Sequence, residues 1–188
     1  MEMNMNLRSK IKGMSWWLKA IVVWIGITLV WNHLPYRYDP EGAADYVTSH
    51  ALPKGKTMCA WYVMRAMQSG GGCPIGILPA YAYAKTLPQM GFEEVANEST
   101  KDYKPKKGDI TVMPQNYRSA FGHIAIYDGK QWVSDFKQKD KFPGNAYRAK
   151  GEYRIFRAEK GWHWKHVWTH PGDWWGWIKS VAKGWLKL

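Results

Sequence analysis

The sequence contains few cysteines and few acidic residues for its length. Its 188 residues include two cysteines, Cys59 and Cys73, and 15 aspartates and glutamates against 27 lysines and arginines. Two cysteines do not indicate whether the protein works in a reducing or an oxidising compartment. The carboxylates are too few, and cysteine too distant, to suggest a metal site around the C-terminal histidines His163, His166 and His170. We therefore expect no metal and no other cofactor.

The chain also lacks a recognised nucleic-acid-binding motif, although its formal net charge is +12. A basic excess of this size indicates an anionic partner, which can be a nucleic acid, acidic lipid headgroups or an anionic cell-wall polymer. Much of the positive charge lies in the segments at the two ends, so we do not expect nucleic-acid binding. The length and the 46% content of hydrophobic residues suit one domain rather than two.

An apolar run lies near the N-terminus and follows a basic segment that contains Arg8, Lys10 and Lys12. The run covers residues 14–31 and is interrupted only by Lys19. As a helix it spans roughly 27 Å, close to the thickness of the bilayer hydrocarbon. No small-x-small cleavage site follows it. The pattern predicts a transmembrane helix with its basic flank in the cytoplasm and the rest of the chain outside. An amphipathic helix on the domain or on a membrane surface is the alternative.

Helix signals come first in the remaining chain. Asp39 is a suitable N-cap and Pro40 suits a first helical position. A second helix is predicted from near Met58 to the Ser-Gly-Gly-Gly stop at residues 69–72, and a third over residues 79–90.

Strand signals follow the helix signals. Five short segments are rich in β-branched or aromatic residues, at 92–95, 109–113, 122–129, 131–136 and 153–157. The Asp128-Gly129 pair between two of them predicts a hairpin. We therefore expect an α+β fold in which N-terminal helices pack on an antiparallel sheet. In the Gly-Asp turn before the second segment, Asp109 is predicted to have a structural role.

The candidate chemistry centres on Cys59, which opens the second predicted helix. The dipole and free N–H groups of a helix N-terminus favour a thiolate, but a nucleophile also needs a base. Of the six histidines, only His50 and His123 lie in the central part of the chain. His123 begins a predicted strand, and either Asp135 or Gln131 on the next strand could face its imidazole across the hairpin. A nucleophile, a base and an orienting group thus occur in the order Cys, His, Asp.

Three segments carry a family resemblance: CAWYVMRAMQSGGG, KPKKGDITVM and FGHIAIYDGKQWVSDF. Together they resemble the CHAP and NlpC-type cysteine peptidases and amidases that cut peptidoglycan, over residues 39–157. Within that group the chain is most similar to the small amidase toxins delivered as type VI secretion effectors. The resemblance implies a papain-like fold with Cys59 as nucleophile, His123 as general base and Asp135 as the third polar residue. The backbone N–H of Cys59 is implied as an oxyanion donor.

The resemblance further implies a peptidoglycan hydrolase, an antibacterial toxin that cleaves amide bonds in stem peptides or cross-links. A phage signal-anchor endolysin and a membrane-disrupting toxin with a non-catalytic scaffold are the alternatives.

The expected domains are a basic flank and hydrophobic helix (1–35), a catalytic domain (36–158) and a tail (159–188). Tyr117, Arg118 and Gln131 are candidates for the substrate cleft. The expected partners are peptidoglycan, a membrane and an immunity protein or secretion carrier. The catalytic part is expected in the periplasm, either anchored in the inner membrane or delivered to a target cell.

Two features leave several interpretations open. The Trp-rich tail predicts an amphipathic interfacial helix, but the tail can also dock on the domain or bind a protein partner. Cys73 is predicted to be a buried thiol, a partner of Cys59 in an inactivating disulfide, or half of an intermolecular bridge.

Overall fold

The computed structural model describes residues 15–32, 35–72 and 75–163, and the chain divides into two units, Met1–Leu34 and Pro35–Leu188. In the first unit, helix α1 covers Trp16–Asn32 and has 17 residues. Within the described ranges, no helix is both long and apolar enough to cross a membrane. The predicted transmembrane anchor therefore finds no support. Cys73 and residues 164–188 of the Trp-rich tail lie outside the described residues.

The second unit contains helices followed by strands, as predicted. Its elements, in chain order, are β1 (Tyr36–Tyr38), α2 (Pro40–His50), α3 (Cys59–Ser69), a 3-10 turn (Ala80–Ala82), α4 (Tyr83–Gln89), β2 (Glu93–Asn97), β3 (Ile110–Met113), β4 (His123–Tyr127), β5 (Trp132–Val133), α5 (Asn145–Lys150), β6 (Arg154–Arg157) and β7 (Gly161–His163).

Five of these strands form one antiparallel sheet in the order β2-β6-β3-β4-β5. Helices α2 and α3 pack on one face of it, where Val63 and Met67 join Ile124 and Ile126 in a buried core. On the other face, Ala125 and Trp132 belong to a second, smaller cluster. The alternation of strand side chains thus sends Ile124 and Ile126 toward the helices and their neighbours away from them. The α+β class and the antiparallel sheet are confirmed.

Local signals explain where the helices begin and end. The carboxylate of Asp39 accepts hydrogen bonds from the backbone N–H groups of Glu41 and Gly42 and so caps α2. Helix α3 ends at the glycine run that follows Ser69, as predicted. The hairpin at Asp128-Gly129 joins β4 to β5, and the Asp128 N–H donates to the Gln131 carbonyl.

A separate two-stranded sheet, β1 with β7, was not predicted. Its register pairs Tyr36 with His163 and Tyr38 with Gly161. The first residues of the segment assigned to the tail therefore belong to the folded unit, because residues 161–163 complete this pair of strands. The pairing joins residues 123 or more positions apart in the chain, and three-residue strands are too short to show a period in the sequence.

Asp109 is buried at the start of β3, with 1% of its surface exposed. Its carboxylate accepts from Arg157 Nε at 2.7 Å, from Arg157 Nη2 at 2.8 Å and from the Lys106 N–H at 2.6 Å. The Tyr103 hydroxyl also donates to it. The preceding Gly108 (φ +93) lies so close to α2 that an added Cβ would be 2.5 Å from that of Pro40. These contacts join β3, β6 and the loop before β3, and agree with a structural role for Asp109.

We expect Asp109→Ala to lower the free energy of unfolding by about 3 kcal/mol, because it leaves the Arg157 guanidinium without its bidentate partner. Asp45→Ala is the matched control. It breaks the exposed ion pair with Lys107 and should cost less than about 1 kcal/mol. Chemical unfolding of both variants measures the difference, and equal losses would contradict a structural role for the Asp109 network.

Candidate active site

Cys59 is the first residue of helix α3 and is a half-buried, free thiol. The first intrahelical bond runs from the Tyr62 N–H to the Met58 carbonyl at 3.1 Å, so earlier N–H groups have no partner within the helix. The N–H groups of Ile124, Ala60 and Cys59 point to the sulfur. The thiol therefore lies among unused helix N–H groups and beside strand β4, as the sequence pattern predicts for a nucleophile.

His123 is the first residue of β4, and only 5% of its surface is exposed. The pairing of β4 with β3 places it opposite Met113, and the ring of Tyr147 on α5 lies 5.7 Å from its own. His123 directly precedes Ile124, whose N–H contacts the Cys59 sulfur. The packing of α3 against β4 thus brings the predicted nucleophile and the predicted base to the same end of the sheet.

The group beside Nε2 of His123 is Gln138 rather than Asp135. The Gln138 side-chain amide lies 2.7 Å from His123 Nε2 and 3.2 Å from the Ser134 hydroxyl, and it is 2% exposed. Among the hydrogen bonds of the described residues, none joins Asp135 to His123. A base needs the opposite arrangement, in which Nε2–H donates to the amide oxygen, and Gln138 Oε1 has no other hydrogen-bond partner among the described residues. With the amide turned so that Oε1 accepts from Nε2–H, the ring is fixed in the tautomer whose other nitrogen can accept the thiol proton.

The reason for the difference is that β5 ends early. The sequence prediction carried the strand through Asp135, but β5 covers only Trp132–Val133. The chain then reverses, with Ser134 N–H donating to the Phe136 carbonyl at 3.0 Å and Gln138 N–H donating to the Trp132 carbonyl at 2.9 Å. This reversal returns Gln138 to the His123 side of the sheet. The reversing segment contains no glycine or proline that would have revealed it.

Asp135 lines the site by a different set of contacts. Its carboxylate accepts from the backbone N–H groups of Lys56 at 2.5 Å and Met58 at 3.2 Å, and from the Ser134 hydroxyl at 3.0 Å. Its charge is still close enough to His123 and Cys59 to influence the pKa values of both.

Cys59, His123 and Asp135 line one cleft of about 570 Å³. Of the residues predicted for the substrate cleft, Arg118 lines it, whereas Tyr117 and Gln131 are not among the lining residues. Gln131 instead lies in the hairpin turn at the far end of β4, where its N–H donates to the Asp128 carboxylate. Tyr117 is 79% exposed, and its ring stacks under the Arg118 guanidinium.

A second, more apolar cavity of about 500 Å³ meets the first at Cys59. Its lining is mainly apolar and comprises Thr57, Met58, Cys59, Ala60, Trp61, Ile77, Leu78, Pro79, Ala80 and Phe121. The Cys59 thiol is therefore accessible both from the cleft that His123 lines and from this adjoining apolar cavity, which His123 does not line.

The electrostatics of the site favour the neutral forms of the Cys59 thiol and the His123 imidazole. Burial lowers the pKa of His123 to about 4, against a smaller opposing effect of the Asp135 charge and the Gln138 hydrogen bond. Burial also raises the pKa of the Cys59 thiol, and the nearby Asp135 carboxylate raises it further, while the Ile124 N–H acts in the opposite direction. At neutral pH the pair is therefore a thiol beside a neutral imidazole.

The fold and the cleft define a CHAP-type hydrolase, and residues 49–135 match the model of the CHAP domain. The chain is also similar to the type VI effector Tae3 from Ralstonia pickettii, solved as the native Tae3–Tai3 effector–immunity complex. That match has 35% sequence identity and a TM-score of 0.59, and it covers 65% of this chain and 100% of the other. For the selenomethionine form of the complex, the identity is 36% and the TM-score 0.56, with coverage of 61% and 98%. A search among curated proteins found no match.

The chain therefore belongs to the CHAP-type peptidoglycan amidase effectors, the group that contains Tae3. The match with Tae3 spans the whole of that chain and leaves about a third of the present one outside it.

The buried, neutral state of His123 predicts a pH-dependent stability. Its pKa of about 4 in the folded state lies below the ordinary value of 6.5, so the unfolded chain takes up the proton first as the pH falls. The contribution of this pKa difference to the free energy of unfolding is fully present above pH 6.5. It is lost as the pH falls toward 4, and the loss is on the order of 3 kcal/mol. Unfolding free energies of the wild type and His123→Gln between pH 7 and pH 4 test this. The wild type should lose more stability, and parallel curves would contradict the prediction.

Proposed function

We propose that Cys59 is the nucleophile and His123 the general base of an amidase that cleaves an amide bond in peptidoglycan. The observation that carries the proposal is the meeting of a free thiol at a helix N-terminus with a buried imidazole at one cleft. Membership of the CHAP-type effectors supports the choice of peptidoglycan as the polymer.

In the first half of the reaction, His123 takes the proton of the Cys59 thiol as the sulfur attacks the amide carbonyl carbon. The carbonyl oxygen becomes an oxyanion, and the backbone N–H of Cys59 is the donor proposed to hold it. The imidazolium then gives its proton to the nitrogen of the leaving amine, the C–N bond breaks, and a thioester remains on the sulfur. A neutral starting pair suits this sequence, because the proton moves while the new C–S bond forms.

In the second half, water attacks the thioester carbonyl while His123 accepts one of its protons. The C–S bond breaks, the new carboxylic acid leaves, and the sulfur recovers its proton from the imidazolium. The enzyme returns to the thiol–imidazole state, and no cofactor takes part.

We assign the orientation of His123 to Gln138. A buried amide 2.7 Å from Nε2 restrains the ring without a charge of its own. A carboxylate at the same distance would raise the pKa of the imidazole and so stabilise the imidazolium. The amide therefore suits a base that begins the reaction neutral.

The biological setting follows from the same kinship. The related Tae3 is a type VI effector in complex with its immunity protein Tai3. We propose that this chain is likewise delivered to the periplasm of a target cell and neutralised by an immunity partner. Exposed apolar side chains beside the site, Phe121 at 70% and Ile77 at 62%, support a protein partner at this surface. Peptidoglycan lies in the periplasm, so delivery there brings the cleft to its substrate.

Cys59→Ala should abolish cleavage while leaving the fold intact, because the sulfur is half-buried and alanine removes one atom. Mass spectrometry of muropeptides released from purified sacculi measures the loss and identifies the amide that is cut. Expression of both forms in the periplasm of a test strain separates the alternatives. Toxicity that survives Cys59→Ala would contradict the amidase and favour membrane disruption.

Gln138→Ala should lower kcat/KM by about 10- to 100-fold, in line with partners that orient other functional histidines. Gln138→Glu should move the acidic limb of the kcat/KM profile to higher pH, because a carboxylate beside Nε2 stabilises the imidazolium. Lys130→Ala, in the hairpin turn outside the cleft lining, is the control. An acidic limb that stays in place in Gln138→Glu would count against the assigned role.

A further inference from the structure

The turn before the nucleophile is held in a strained backbone conformation. Thr57, two residues before Cys59, has φ +59. In this left-handed region a β-branched side chain is rarely found, and such conformations persist where neighbouring contacts hold them. We call residues 56–58 the nucleophile turn. Its last residue, Met58, is the N-cap of helix α3, so the conformation of the turn determines where Cys59 begins the helix.

The nucleophile turn is held from outside by Asp135. One carboxylate oxygen, Oδ2, accepts from the N–H groups of Lys56 and Met58, which flank Thr57 on either side. Met58 supplies no side-chain cap to α3, and this carboxylate takes over part of that function from 77 residues away in the chain. The two bonds close around Thr57 and oppose its relaxation to a commoner conformation.

The surrounding contacts fix Asp135 itself. Its other carboxylate oxygen accepts from the Ser134 hydroxyl at 3.0 Å, and its carbonyl accepts from the Leu52 N–H at 2.8 Å. Gly55 leaves room for the ring of Phe136, which an added Cβ would approach to 3.0 Å. Asp135 is 2% exposed, whereas all three residues of the nucleophile turn are exposed, so a buried carboxylate anchors an exposed turn to the domain.

We propose that Asp135 is a positioning residue for the nucleophile, which holds the strained nucleophile turn and so places Cys59, and does not orient the base. The inference rests on the proposed function of Cys59. A negative charge near the sulfur disfavours the thiolate, so the Asp135 carboxylate is poorly placed to activate the thiol by charge. A carboxylate is instead a strong hydrogen-bond acceptor, and Asp135 uses this property to bind the two backbone N–H groups of the turn.

The decisive experiment is a pair of double-mutant cycles that combine Asp135→Ala with Thr57→Gly and with Gln138→Ala. The readouts are kcat/KM for muropeptide cleavage and the rate of Cys59 alkylation by iodoacetamide. Asp135→Ala should lower kcat/KM by about 100-fold, the size of effect that a 1 Å misplacement produces. The Thr57→Gly single variant is the reference corner of the first cycle, against which the rescue is calculated. Added to Asp135→Ala, it should restore at least about tenfold, because glycine adopts the left-handed conformation without strain.

Combination with Gln138→Ala distinguishes the two possible roles of Asp135. If Asp135 acts on the nucleophile, the losses from Asp135→Ala and Gln138→Ala should multiply. Two results together overturn the proposal: the losses from Asp135→Ala and Gln138→Ala do not multiply, and Thr57→Gly does not rescue Asp135→Ala. Asp135 would then act through His123. The proposal is equally overturned if Asp135→Ala leaves both readouts unchanged.

Asp135→Asn keeps the test informative if Asp135→Ala does not fold, which a thermal melt reveals. The asparagine oxygen can still accept from both N–H groups, so this variant should retain kcat/KM within about tenfold. Its acidic limb should move to slightly lower pH, because the Asp135 charge raises the pKa of His123. A loss of kcat/KM as large as that of Asp135→Ala would show that Asp135 acts by its charge rather than by its hydrogen bonds, and would overturn the proposal. Alkylation of Cys59 does not depend on hydrolysis. If the alkylation rate changes in an Asp135 variant and Cys59→Ala still hydrolyses muropeptides, only the proposed function is refuted. The placement of Cys59 by Asp135 would still hold.

Discussion

The packing of helix α3 against strand β4 is the contact on which the rest of the site depends. Val63 and Met67 of the helix enter the same core as Ile124 and Ile126 of the strand. This apolar contact has no chemistry of its own, yet it fixes the distance between the first residue of the helix and the first residue of the strand. These two residues are Cys59 and His123. Because close-packed cores resist small displacements, the core beneath these two residues holds them rigidly in place.

That arrangement has an electrostatic consequence. An imidazole at the end of a buried strand loses most of its contact with water, and the pKa of His123 falls accordingly. Its charged form is then costly until a substrate supplies a developing negative charge nearby. A polar but uncharged Gln138 beside Nε2 is compatible with this state. In the proposed reaction, both groups therefore start neutral and charge develops only as the bonds change.

Much of the fold follows from local sequence signals, because those signals act within a few residues. The Asp39 cap, the glycine stop after Ser69 and the Asp128-Gly129 hairpin each govern one junction, and all three are present in the structure. The alternation along β4 also separates Ile124 and Ile126 from Ala125 as expected. The pairing of β1 with β7 depends on segments far apart in the chain and has no such local signal.

The third polar residue of the site shows where pattern-based reasoning stops. Alternation along a strand assigns Asp135 to the His123 side only if the strand continues, and β5 ends at Val133. Beyond that point, the direction of each side chain depends on a loop reversal. The direction of Asp135 also depends on the N–H groups of Lys56 and Met58, for which its carboxylate is the acceptor. Those donors lie 77 to 79 positions away. The order Cys, His, Asp thus identified an acidic residue of the site, but its partners follow from the tertiary contacts of the nucleophile turn.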